Sequence, residues 1–133
     1  PFLRCGWAYR MITEPAGELA PLFMPVPTPL QARPGDIVVN RHHMRIVVDI
    51  DVDPKEGCTF MLAEATSASD IPTGQAYEEA DIGPRFIQVH FTKPDQPIAE
   101  QTPCRKRLVD HDFQVDETEN AYVIGRYRQL DQL

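Results

Sequence analysis

Over the middle of the chain, apolar and polar residues alternate with a period of two. Ile37-Val38-Val39, His43 to Asp49 and Thr59 to Ala65 are β-branched, alternating or both, and polar residues Asp53-Pro54-Lys55-Glu56-Gly57 separate the second run from the third. These runs predict three neighbouring antiparallel strands. Two more strands are expected at Arg85 to Thr92 and Ala121 to Arg128. Ahead of them, Trp7, Met11 and Ile12 fall near helical spacing and Pro15 disfavours helix at Glu14, so a short helix is expected over Cys5 to Thr13. Prolines at 15, 21, 25, 27, 29 and 34 then predict an extended connector without regular structure. The stretches Thr66 to Pro84 and Lys93 to Asn120 are polar and poorly patterned, with only a short helix suggested near Pro103 to Asp110.

A helix followed by a meander of about five strands is an α+β pattern, with the N-terminal helix packed on one face of an antiparallel sheet. In the second run, Met44, Ile46, Val48 and Ile50 share one face and are expected to fill the core. His43, Arg45, Val47 and Asp49 share the other. Phe60, Leu62 and Glu64 share a face of the next strand, where a charged Glu64 inside an apolar run needs a partner or solvent.

At 133 residues, 42% apolar and 25% charged, residues 1–133 suit one domain with one modest core. The net charge of −7, with Arg105-Lys106-Arg107 the one basic run, argues against a nucleic-acid partner. No apolar stretch approaches the roughly 20 residues that span a bilayer, and no basic segment followed by an apolar one marks a signal peptide. The first residue is Pro1 rather than Met, which fits a processed protein and a chain truncated at its N-terminus equally well, and the pattern does not fix the oligomeric state. Three cysteines, Cys5, Cys58 and Cys104, cannot all pair within one chain and form no CxxC. Neither a disulfide framework nor a structural metal site is expected.

A cysteine acts as nucleophile through its thiolate, which a helix N-terminus and a neighbouring imidazolium both favour. Cys5, at the expected helix start, has the first of these by position. Against this stands the ordinary fate of a lone cysteine, which is to pack in a core. His43, opening a strand, could supply the base, and Glu64 the group that orients it. A solvated strand end for His42 and His43, and a strand terminus at Glu64, are the plain alternatives. Trp7 and Tyr9 are expected to pack.

Leu3-Arg4-Cys5-Gly6-Trp7-Ala8-Tyr9-Arg10-Met11 resembles the D-C-S-G helix start of the NlpC-like cysteine peptidases, papain-like enzymes that trim bacterial cell-wall peptides. Arg33-Pro34-Gly35-Asp36-Ile37-Val38-Val39 is similar to that family's L-x-P-G-D-L-V-F-F strand. His43-Met44-Arg45-Ile46-Val47-Val48 is similar to its H-V-G-I-Y-I strand, and Leu62-Ala63-Glu64-Ala65 falls where the family has I-H-A. The resemblance spans Leu3 to about Ala65. It implies a papain-like fold and a cysteine hydrolase that cleaves an amide in a cell-wall peptide through a thioester, with no metal or organic cofactor, in the periplasm or outside the cell.

The roles it implies are Cys5 as nucleophile, His43 as base and Glu64 as orienter, with amides of Cys5 and Gly6 as oxyanion donors; Arg4 and Arg45, by their own charge and position, are expected near the substrate. Arg4, Gly6 and Arg45 stand where the family has Asp, Ser and a small glycine. A non-catalytic member of the fold, binding a ligand or a protein, is therefore the second expectation. A permuted site using Cys104 is an alternative within the first.

Overall fold

The computed structural model describes residues 2–14, 22–66, 83–106 and 112–128. Among these residues one α-helix, α1 (Phe2–Thr13), precedes eight strands: β1 (Phe23–Val26), β2 (Ile37–Val39), β3 (Met44–Asp53), β4 (Gly57–Thr66), β5 (Gly83–Phe91), β6 (Cys104–Lys106), β7 (Gln114–Val115) and β8 (Val123–Tyr127). They form a single sheet in the order β1-β8-β2-β3-β4-β5-β6-β7, with each neighbouring pair antiparallel.

This corrects the expected fold. The chain is dominated by a large eight-stranded antiparallel sheet, not a papain-like helix on about five strands. The additional strands were hidden for physical reasons. β1 lies in the proline-rich connector and contains Pro25, which an edge strand tolerates because one side of it needs no ladder hydrogen bond. β6 and β7 are too short to show a period, and Cys104–Lys106 is strand where a helix over Pro103 to Asp110 was expected; residues 107–110 lie outside the described ones. Most of the polar stretch from Thr66 to Pro84, and the connector before Leu22, also lie outside them.

Two clusters use the two faces of the sheet. On one face α1 packs over β1, β8 and β2, burying Cys5, Ala8 and Ile12 against Ile37 and Val39. The approach is close: a Cβ on Gly125 of β8 would stand 2.1 Å from Ile12 Cδ1, so any larger residue here requires Ile12 to move. On the opposite face Val38, Val47, Phe60, Leu62, Ile87 and Val89 join Tyr122, Ile124 and Ile98 in the larger core. Cross-strand pairs Val47↔Leu62↔Ile87 and Phe60↔Val89 put these side chains in register.

The expected facing of β3 is inverted. Arg45 and Val47 are buried at 2% and 1%, whereas Ile46 and Val48 are 50% and 43% exposed. Two causes are visible. Arg45 is matched by buried carboxylates on the core side, so its charge does not force it outward. Then the register shifts between Val47 and Asp49, and the extra residue lets Val47 and Ile50 both face the larger core.

The turn before β2 places its Asp. Gly35 sits at φ 96°, a conformation glycine adopts freely, within the turn closed by Asp36 N–H donating to Arg33 C=O. Asp36, 1% exposed, accepts from Arg126 Nε at 2.8 Å and Nη2 at 2.9 Å. This bidentate pair locks the start of β2 to β8.

Candidate functional site

The β2–β3 connection is organised by Asn40. Its Oδ1 accepts from the backbone N–H of His42 at 2.8 Å and of His43 at 2.7 Å, and its own N–H donates to His43 C=O at 3.0 Å. This small closed turn fixes His43 immediately before β3.

From there the ring reaches Glu64 on β4, with His43 Nε2 at 2.5 Å from Glu64 Oε2. The Glu64 side chain is 1% exposed, and its oxygens collect further donors. Oε2 accepts from Arg45 Nε at 2.9 Å, and Oε1 from Arg85 Nε at 2.8 Å. Burial by itself would push the Glu64 carboxyl up, but the His43 hydrogen bond and the Arg45, His43 and Arg85 charges outweigh it and hold the group far below the usual carboxylate range. Glu64 is therefore an anion and only accepts. It follows that Nε2 carries the proton, and that in the neutral imidazole Nδ1 is the lone-pair nitrogen. Among the described residues Nδ1 has no hydrogen-bond partner, and the His43 side chain keeps 20% of its surface exposed.

Arg45 extends the network inward. Its Nη1 and Nη2 donate to Glu119 Oε2 and Oε1 at 2.5 and 3.1 Å, and its Cζ stands 4.2 Å from the Tyr122 ring centroid. Burial opposes the charge on Arg45, but Glu119 above all, then Tyr122 and Glu64, keeps the guanidinium protonated. Burial pushes the Tyr122 phenol up to about 12 despite the nearby Arg45. The Tyr122 ring also meets the His43 ring edge-on at 6.5 Å. Arg105 lies beside the group, with Nη2 at 3.6 Å from Glu64 and Nη1 at 3.6 Å from Glu119 and 3.7 Å from Asp116.

The structure thus brings His43, Arg45 and Glu64 together. Arg45, however, is committed to carboxylates inside the fold, so it holds the site's frame rather than facing a substrate. Cys5 is 9% exposed and lies in the cluster with Ile37 and Val39, on the face opposite to the one Glu64 shares with Leu62 and Phe60. Helix and turn nevertheless adjoin: a Cβ on Gly6 would lie 3.5 Å from Arg41 C=O, Arg41 stands 5.7 Å over the Tyr9 ring, and Met44 packs against the Cys5 cluster.

α1 begins at Phe2, so Cys5 lies about a turn inside it and the Gly6 amide is an internal helical donor. That amide has no spare N–H to offer an oxyanion. The Arg4 side chain lies outside the described residues. Trp7, expected to pack, is 50% exposed. Cys104 is paired with His90 on the face away from Arg105, two strands from Glu64 and on the opposite face of the sheet from it.

Arg85, Glu119, Arg105 and Tyr122 were not identified from sequence. Only Glu64, a charge inside an apolar run, signalled that partners were needed. Among the described residues no three His, Cys, Asp or Glu side chains are grouped to hold a metal ion, and no helix is long and apolar enough to cross a membrane. A separate depression of about 350 Å³ lies on the outer face between Asp49, Asp51, Thr59, Met61, Gln88 and Phe113, away from His43. Comparison with protein-family models, with curated proteins and with solved structures finds no match for this chain.

Proposed function

We propose that this chain carries the acid–base centre of a cysteine hydrolase that cleaves an amide through a thioester, with His43 as base, Glu64 as its orienter and Cys5 as nucleophile. The observation that carries the proposal is the His43–Glu64 pair. A buried anion fixes one ring nitrogen as donor and leaves the other, Nδ1, as an open base on a partly exposed ring. The reaction requires the Cys5 thiol to reach Nδ1 around the end of β3, where α1 meets the turn that carries His43; Nδ1 then takes the thiol proton as sulfur attacks the carbonyl carbon. It then returns that proton to the departing amine nitrogen, and water cleaves the thioester to a carboxylic acid and the thiol. This chemistry needs neither metal nor organic cofactor.

The cell-wall peptide substrate is supported by the resemblance of the Cys5, Pro34-Gly35-Asp36, His43 and Glu64 segments alone. The test is hydrolysis of peptidoglycan peptide fragments by wild type, Cys5→Ala and His43→Ala. Each substitution is expected to remove activity by about 100-fold or more, and unchanged hydrolysis in either overturns the assignment.

A ligand-binding domain without catalysis is the second reading, favoured by the 9% exposure of Cys5 within an apolar cluster. Alkylation by iodoacetamide separates the two. A Cys5 that reacts no faster than N-acetylcysteine, and no differently in His43→Ala, supports the binding reading.

A further inference from the structure

Arg105, from β6, enters the His43–Glu64 network without closing it. Its contacts with Glu64, Glu119 and Asp116 are 3.6, 3.6 and 3.7 Å, all beyond hydrogen-bond reach. Its Nε is buried and has no partner among the described residues. The carboxylates around it are engaged more closely by other groups. Glu64 accepts from His43, Arg45 and Arg85 within 2.9 Å, and both Glu119 oxygens are taken by Arg45. Asp116 spends Oδ1 on Thr118, accepting from its N–H at 3.0 Å and its hydroxyl at 2.6 Å.

A guanidinium has five donors in a rigid fork, and leaving them unmatched in a mostly buried site is costly. The Arg105 side chain is 21% exposed and Asp116, beside it, 30%, so the fork sits at the rim of the network rather than beneath it. Arg45 and Arg85 already neutralise the two buried glutamates, which limits their repulsion of an incoming anion.

We infer that Arg105 is an anion receptor that grips a carboxylate of the ligand, holding that ligand beside the His43 ring. The terminal Nη1 and Nη2 groups, rather than the buried Nε, offer a planar carboxylate two parallel N–H···O bonds. Glu64, touched by both Arg105 and His43, sets their spacing. The inference rests on the His43-centred site for the ligand's position, but it makes no use of turnover.

The test is a titration of the whole chain with N-acetylglycinate, N-acetylglycinamide and inorganic phosphate at constant ionic strength, followed by the Arg105 Nε–H and His43 ring NMR resonances. Saturable shifts of both residues with N-acetylglycinate, and none with the neutral amide, are expected. Arg105→Gln should weaken binding about tenfold or more, the size of a lost charged hydrogen bond. Arg105→Lys should retain part of it. Equal response to acid and amide, undiminished binding by Arg105→Gln, or saturation by phosphate alone would overturn the inference. Should Arg105→Gln fail to fold, the wild-type Arg105 resonance still decides, because a non-saturating or absent shift rejects the receptor. Carboxylate binding without amide hydrolysis would leave the receptor standing while removing the hydrolase.

Discussion

The Nε2 of His43 lies 2.5 Å from the Oε2 of Glu64, joining a turn residue before β3 to a buried carboxylate on β4. The same carboxylate is gripped by Arg45 and Arg85, so the imidazole is aimed by a group that has little freedom to move. An oriented, partly exposed ring anchored to a carboxylate on a stiff sheet is a better acid–base group than a ring on a loop alone.

Glu64 should make stability depend on acid. Its folded-state pKa is depressed by the His43, Arg45 and Arg85 contacts, so its contribution is complete above the unfolded value of about 4.3 and fades as pH falls below that. Urea denaturation across pH 6 to 2 should therefore show a shallower loss of stability in Glu64→Gln than in wild type. Parallel profiles would show that the carboxylate is not held as described.

Arg45 should be replaceable only as part of a set. Arg45→Ala leaves Glu64 and Glu119 short of a buried cation, a loss expected to cost about 3–5 kcal/mol. Denaturation midpoints for Arg45→Ala, Glu119→Gln and the double variant should show strong non-additivity. Simple additivity would mean that the two side chains do not share one network.

Gly125 should not accept a methyl group. Ile12 Cδ1 would be 2.1 Å from the new Cβ, so Gly125→Ala should destabilise by about 1–3 kcal/mol, with part of the loss recovered in combination with Ile12→Ala. A neutral Gly125→Ala would show that α1 does not press on β8 here.

Asp36→Asn should loosen the joint between β2 and β8. Arg126 would lose a bidentate anion while staying mostly buried, a cost of about 3–5 kcal/mol in thermal or urea unfolding. In the Arg126→Met background the cost of Asp36→Asn should largely vanish if the pair acts as a unit, and simple additivity of the two substitutions would mean that it does not.

Much of the central sheet is legible in the sequence, because β2, β3, β4, β5 and β8 carry long β-branched or alternating runs. The edges are not. Pro25 disguises β1, and the short β6 and β7 depend on pairing with neighbours rather than on their own pattern. The facing of β3 misleads for a different reason. Alternation assigns Arg45 to solvent, and no local signal shows that Glu64 and Glu119, the latter 74 residues away, neutralise it inside the fold. Glu64 announces a need for partners within its apolar run, whereas Arg85 becomes its neighbour only once the β4–β5 register is known.

Which nitrogen of His43 holds the proton is read directly by ¹⁵N NMR of the ring. Near neutral pH, wild type should show a protonated Nε2 and an unprotonated Nδ1 when the ring is neutral, with that preference lost in Glu64→Gln. A ring protonated at Nδ1, or one exchanging freely between the two forms in the wild-type chain, would contradict the account.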